Sequence, residues 1–379
     1  MRCELNDICV YRNERISTNA LNSHTYVSTE NMLPDKGGVT DAASLPTVSQ
    51  TSKFRHGDTL VSNIRPYFKK IWFAEYDGGC SNDVLVFSAK EGVDPKYLYY
   101  VLANDSFFAY STATSKGTKM PRGDKTSIMQ YQIEKVDSPT QKKIAAILSA
   151  LDEKIAINRE INDNLQQQLF SLYENMAMTS HCLKEHALSN LCDFQEGYVN
   201  PPQTHPEYFD GEVKWLRAVD INESFIIETS RTLTKAGFES AKKSALLFKP
   251  NTIAISKSGT IGRLGIIADY MCGNRAVINI APNDTSMLAF IYCFLKSKQK
   301  EFPDMAVGSV QKNLYVSLLE PLTVFMPDDE LLTEFNAVGN SILNKIYNNC
   351  IENTELANLR DTLLPKFMSG EIDVSAVQL

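Results

Sequence analysis

This sequence of 379 residues has few of the patterns that mark catalysts, metalloproteins and membrane proteins. Its eight cysteines (Cys3, Cys9, Cys80, Cys182, Cys192, Cys272, Cys293 and Cys350) form no CxxC and lie near no histidine pair at zinc spacing. The five histidines form no HExxH, so no metal site is expected, and the thiols read as reduced. No segment approaches 18 consecutive apolar residues. The longest conspicuous run, MLAFIYCFL at 287–295, is too short to span a bilayer. The opening MRCELNDICVY has no apolar run of signal-peptide length, which gives the expectation of a cytoplasmic protein without membrane association. Gly259, Gly262 and Gly265 are spaced GxxGxxG rather than GxGxxG, and no phosphate-binding Lys-Ser/Thr follows, so a hairpin is expected there. No nuclease or hydrolase constellation stands out, and no catalytic residue is assigned.

Excess positive charge is also missing. The formal net charge is −7, but the imbalance is local: residues 327–379 carry 3 basic and 9 acidic side chains. Residues 1–138 carry 16 of each sign and residues 181–326 carry 15 of each. Within these balanced segments the bases cluster. Lys53, Arg55, Arg65, Lys69 and Lys70 face only Asp58, and Lys116, Lys119, Arg122 and Lys125 face only Asp124. Arg231, Lys235, Lys242, Lys243, Lys249, Lys257 and Arg263 face only Glu239. Phosphate binding needs local positive potential, not a basic protein. A solvated surface accounts for any one cluster equally well. The acidic tail is better suited to a partner protein than to DNA.

Glycine and proline are absent from Gln141 to Tyr173, and this absence signals structure. Ile144, Leu148, Leu151, Ile155, Asn158, Asn162, Leu165, Leu169 and Leu172 recur in alternating steps of four and three, a heptad seam that makes a helix wrap a partner. Ser138 as N-cap and Pro139 at the first helical position give a start. From Ile144 to Leu172 the rod would measure about 43 Å. Asn158 and Asn162 interrupt the apolar seam. Such polar positions cost stability but fix register, so the partner helix should carry a matching interruption.

The match lies in the same chain, which is a repeat. ELNDICVY at 4–11 aligns with ALSNLCDF at 187–194, and FRHGDTLVSN at 54–63 with FKPNTIAISK at 248–257. YLYYVL at 97–102 aligns with FIYCFL at 290–295, and GTKMPRG at 117–123 more loosely with GSVQKNL at 308–314. At the end of each half, Ile155, Asn158, Asn162, Leu165 and Leu172 fall on Ile346, Asn349, Asn353, Leu356 and Leu363. The second seam, within a helix expected from about Asp328 to Leu363, is weakened by Gly339 and Arg360, where neighbouring Val338 and Leu359 are expected to substitute. Asn158, Asn162, Asn349 and Asn353 are thus expected to set register. Parallel packing would also align the asparagines, but connectivity favours antiparallel. Within each half, DTLVSNI, DVLVF, NTIAIS and AVINIA read as short strands, and PKYLYYVLAND and SMLAFIYCFLKSKQKEF as helices, giving α+β domains.

Several stretches then resemble the DNA-specificity subunits of Type I restriction-modification enzymes. GYVNPPQTHPEYFDGEVKWLRAVDI at 197–221 is similar to the opening of a target-recognition domain, and SKSGTIGRLGII at 256–267 to its hairpin. SNIRPYFKKIWFAEYDGGCSNDVLVF at 62–87 is similar to the matching stretch of a variant domain. QKKIAAILSALDEKIAINREIN and LRDTLLPKFMSGEIDV resemble the two conserved regions. Residues 12–50 match nothing quotable. The resemblance implies two tandem α/β target-recognition domains with pseudo-twofold symmetry, separated by an antiparallel coiled coil of two long helices. The expected divisions are 1–138 and 181–326 for the two domains, 139–180 for the central helix, and 327–379 for the C-terminal helix and tail. It also implies a chain without catalytic groups that reads a bipartite target in double-stranded DNA. It would dock two methyltransferase subunits that bring S-adenosylmethionine, leaving open whether motor-nuclease subunits join. Half-sites one helical turn apart lie about 34 Å from each other, and a helical spacer of about 40 Å has the right size. Lengthening the spacer should move the half-sites apart.

Arg65, Lys69, Lys70, Lys119 and Arg122 in the first domain, and Lys257, Ser258, Arg263, Lys312 and Asn313 in the second, are the expected DNA-binding residues. Arginine suits guanine edges and lysine suits phosphate. Two other readings fit less of the sequence. A coiled-coil scaffold or tethering protein without sequence-specific DNA binding fits the repeat and seam but has no need of the basic loops. A self-sufficient methyltransferase would need more than Asn200-Pro201-Pro202, which resembles the Asn-Pro-Pro-aromatic loop of adenine methyltransferases. Gln203 stands where an aromatic should stack on a flipped base, and no glycine-rich cofactor loop precedes it.

Overall fold

In the computed structural model the described residues are 2–180, 183–309 and 311–374; Cys182 and Val310 lie outside them. The chain divides into two compact units, 1–154 with 355–379, and 155–354. Each unit joins one α+β domain to a part of each long helix, so the units do not follow chain order.

In the first unit the strands Cys9–Tyr11, Val84–Ala89, Thr59–Ser62 and Ile71–Phe73 form an antiparallel sheet in that order. A smaller sheet runs Arg15–Ser17, Gln50–Phe54, Gly78–Cys80, Tyr26–Val27, its last pair parallel. The helix Pro95–Ala103 starts where Asp94 accepts from the Tyr97 amide and Pro95 fits the first turn. Its buried face meets Phe87 and Phe107, together with Ile144 and Leu148 of the first long helix and Leu364 and Phe367 of the second. Each such fully buried side chain contributes about 1.5–3 kcal/mol relative to exposure.

The second unit repeats the plan. Cys192–Glu196, Val277–Pro282, Ile253–Ser256 and Leu264–Ile267 take the same order, with Phe225–Ile226 added at the edge. The smaller sheet again places a parallel pair, Phe209–Leu216 with Met271–Gly273, beside Leu247–Phe248. The helix Leu288–Lys298 occupies the place of Pro95–Ala103 and is apolar on every side, as its buried position requires.

The long helices run Ser138–Thr179 and Asp329–Ser369. The first begins one residue earlier than expected: Asp137, not Ser138, is the cap and accepts from the Thr140 amide at 2.9 Å. The second continues past Leu363 and through Pro365. In the second unit the segments pack antiparallel. Asn158 donates to Asn353 at 3.0 Å, Asn349 donates to Asn162 at 2.7 Å, and further along Tyr173 meets Phe335. Since Asn158 aligns with Asn349 and Asn162 with Asn353, exchanging the helices maps one bonded pair onto the other. That is the pseudo-twofold expected from the repeat. In the first unit Arg360 reaches Asp152 at 2.7 Å and the packing is antiparallel again.

The expected substitution on the second seam does not occur. Val338 and Leu359 are 46% and 47% exposed, while Gly339 and Arg360 face inward. A Cβ on Gly339 would lie 2.8 Å from the Ala289 Cβ and 3.2 Å from Leu169 Cδ1, so only glycine lets the domain helix approach so closely. Arg360 is held by Asp152 and Asp361. Burial alone would lower its pKa; hydrogen bonds to the two carboxylates outweigh that and keep it charged. Tyr100 donates to the same Asp152 at 2.7 Å, and burial and the carboxylate together raise its pKa.

Candidate nucleic-acid interface

In both units the strand ending at Ser62 or Ser256 leads into a turn that is bonded to a later loop. Gly123 N donates to Asn63 O at 3.1 Å; at the aligned place Leu314 N donates to Lys257 O at 2.9 Å. The later loop is closed by a two-way backbone bridge, Lys116 with Arg122 in one unit and Val307 with Asn313 in the other. The weak match between 117–123 and 308–314 is therefore matched at its ends by equivalent backbone bonds. Sequence similarity is low because the bonds run through the backbone.

This arrangement brings the expected residues into two equivalent loop pairs. In the first unit Arg65 N donates to Pro121 O at 2.8 Å, and Ile64 bridges Arg122. Lys119 is exposed at the loop tip, and Arg122 is exposed with its Nε 3.3 Å from Asp83. In the second unit Ser258 and Arg263 lie on the 257–263 turn, and Lys312 and Asn313 on the bridged loop, with Lys312 exposed. Lys119 and Lys312 suit phosphate or base contact as they stand, and exposed Arg122 does so on leaving Asp83.

Three of the expected lysines have internal work. Lys69 Nζ lies 2.9 Å from Asp105. Lys70 Nζ donates to Thr29 O at 2.6 Å, and burial lowers its pKa. Lys257 Nζ lies 2.8 Å from Glu196 and 4.7 Å from the centre of the Tyr315 ring. These cations position loops, and their charge is largely spent on neighbours.

Three arginines lie outside the expected DNA-binding set, although Arg231 belongs to a basic cluster of the sequence. Arg231 lies over the Phe209 ring at 4.2 Å and donates to Gln203. Arg217, 5.7 Å from the Trp215 ring, has a buried Nε that makes no hydrogen bond and lies 3.7 Å from the Asp220 carboxylate. Asn274, beside exposed Arg275, donates to Leu216 O, which places that arginine near the same loops. The signal for them was the aromatic interleaving in FDGEVKWLR, which reads as arginine-stacking only once the strand exists.

The two turns differ in backbone chemistry. Gly259 and Gly262 take φ of +76° and +85°. The aligned turn places Arg65 and Lys69 at φ +50° each, where an L-residue costs about 1–2 kcal/mol.

The sequence profile described as Type I restriction modification DNA specificity domain matches residues 2–167 and again 184–360. The chain belongs to this family of DNA specificity proteins. Two specificity subunits are similar to this chain, one of them over nearly its whole length. The Type I restriction enzyme HindI specificity subunit of Haemophilus influenzae is 23% identical, covering 97% of this chain and 98% of that one. The MjaIX specificity subunit of Methanocaldococcus jannaschii is 24% identical over 75% of this chain and 71% of its own. A crystal structure of a Type I restriction-modification S subunit from M. genitalium superposes with a TM-score of 0.57 at 17% identity, covering 97% and 96% of the two chains, and shows the same fold. The two profile matches correspond to the two DNA-recognition domains of a specificity subunit, which sets aside the plain scaffold reading. Among the described residues no helix is long and apolar enough to cross a membrane, and no cluster of three or more metal-ligating side chains occurs.

Proposed function

We propose that this chain is the non-catalytic reader of a cytoplasmic Type I modification complex. Each unit reads one half-site through its turn and bridged loop, with Arg65, Lys119 and Arg122 in one unit and Ser258, Arg263, Lys312 and Asn313 in the other. The long helices act as spacer and as the platform for two methyltransferase subunits, which supply S-adenosylmethionine and the chemistry. The observation that carries this reading is the recurrence of one loop pair, bonded through equivalent backbone atoms, at basic positions of both halves. Two half-sites need two such readers, whereas a tether needs none.

The test is to co-express the chain with its methyltransferase partner and sequence the methylated bases. One bipartite motif is expected. Exchanging residues 1–138 for another domain should change one half-site and leave the other intact. Methylation by the chain alone, or a change in both half-sites, would overturn the reading.

A further inference from the structure

The turn of the first unit exposes two aromatic rings on a rigid mount. Tyr67 and Phe68 are 48% and 39% exposed, their ring centres 4.8 Å apart, on the short helical turn Pro66–Phe68. Of the eight non-glycine residues with positive φ among the described residues, four surround this turn: Asp35, Lys36, Arg65 and Lys69. Asp35 N donates to Phe68 O at 2.9 Å, and Lys36 N to Lys69 O at 3.0 Å. The Asp105 carboxylate holds Lys36 at 3.0 Å and Lys69 at 2.9 Å. Lys70 ties the far side to Thr29. Strain so concentrated persists only where surrounding structure over-determines it, and it gathers at working sites. Beside the rings, the Arg65 Nε is buried and has no partner.

We propose that Tyr67 and Phe68 form an aromatic wedge that enters duplex DNA at one base step of the half-site read by the first unit and unstacks it. Wedges of this kind partly unstack a step and kink the helix. Two observations favour DNA over a protein as the occupant. The turn is backbone-bonded to the loop carrying exposed Lys119 and Arg122, so the rings emerge from a basic surface. The aligned turn of the second unit has Thr260 and Ile261, with Ile261 packed against its own core. A surface for a subunit that binds both halves would recur in both. A surface for one half-site need not. The inference rests on the reading of these loops as the DNA face.

The experiment uses the complex with its methyltransferase subunits and a target duplex carrying 2-aminopurine at successive positions other than the methylated base. The intact complex should raise emission at one step of the first half-site. Tyr67→Ala with Phe68→Ala should abolish that rise and weaken binding roughly 5- to 100-fold, the range for loss of aromatic stacking on a base. Specificity at the second half-site should be unchanged. No rise with the intact complex, or a rise that survives the double substitution, overturns the wedge. Failure of the variant to retain methyltransferase subunits on gel filtration overturns it too, by making the rings a protein contact. Lys119→Ala with Arg122→Ala checks the underlying reading separately through the salt dependence of binding. An unchanged slope removes the DNA face and the wedge with it, whereas a shallower slope with silent ring variants removes the wedge alone.

Discussion

The two units are one design built with different chemistry at aligned places. Where the first has Tyr100, Asp152 and Arg360 bonded together, the second has Cys293, Leu343 and Leu169, all in its apolar core. Where the second bends its turn with Gly259 and Gly262, the first forces Arg65 and Lys69 into the same backbone region. Where Asp124 caps the helix Lys125–Met129, Tyr315 precedes Val316–Leu319 and offers no side-chain cap. The fold tolerates these exchanges because it is specified by strand register and helix seams. What each copy adds is a local choice between cheap stability and an unusual surface.

The polar triad gives the sharpest break in the comparison. Arg360→Ala would leave Asp152 half-buried without its cation, at a cost of about 2–3 kcal/mol, discounted from a fully buried pair for its partial exposure. Hydrogen exchange should accelerate across 95–103 and 144–154 and stay unchanged across 288–298. Replacing all three groups to imitate the second unit (Tyr100→Phe, Asp152→Leu, Arg360→Leu) should bring stability back to within about 1 kcal/mol of the parent, since a well-packed apolar set replaces a buried ion pair at little cost.

The turns should respond with unequal sign. Gly262→Ala forces an L-residue to φ +85° and sets its Cβ 3.0 Å from the Phe302 Cβ, so a loss of about 2 kcal/mol in urea unfolding is expected. Arg65→Gly relieves strain but frees the unfolded chain, and the two effects should cancel to within about 0.5 kcal/mol. A large loss there would mean that Arg65 is structural.

The smallest contrast is in acid. Lys116 and the Ser127 amide hold the Asp124 carboxyl at a pKa of about 2, below its usual value. A carboxyl with a depressed folded-state pKa stabilises fully above about pH 4. That contribution is lost as pH falls toward 2. Asp124→Asn should flatten the acid limb of the first unit's thermal unfolding and leave the second unit's unchanged.

Much of this was legible in the sequence. The asparagine interruptions placed the pairing of the long helices, the two domain helices fall within the stretches that predicted them, and the short strands coincide with theirs to within two residues. The roles of Gly339 and Arg360 are not legible in the seam, because a heptad pattern describes only the helix. It cannot see that Leu288–Lys298 presses on one or that Asp152 answers the other. The internal roles of Lys69, Lys70 and Lys257 were hidden for the same reason. Their partners, Asp105, Thr29 and Glu196, lie 36, 41 and 61 residues away, and a charge cluster in one dimension does not show which charges are already spent.

Arg2–Glu4 pairs with Gln132–Glu134, and Lys184–Ala187 with Thr323–Met326, each as a two-stranded antiparallel ribbon. The chain thus enters and leaves each recognition domain side by side, immediately next to a long helix. Everything between the two strands of a ribbon is a closed cassette whose junctions are a few backbone hydrogen bonds, indifferent to side-chain identity. Recombination at both junctions can trade one cassette for a diverged one wherever the faces that pack on the long helices are kept, so a new target can be acquired without rebuilding the rods.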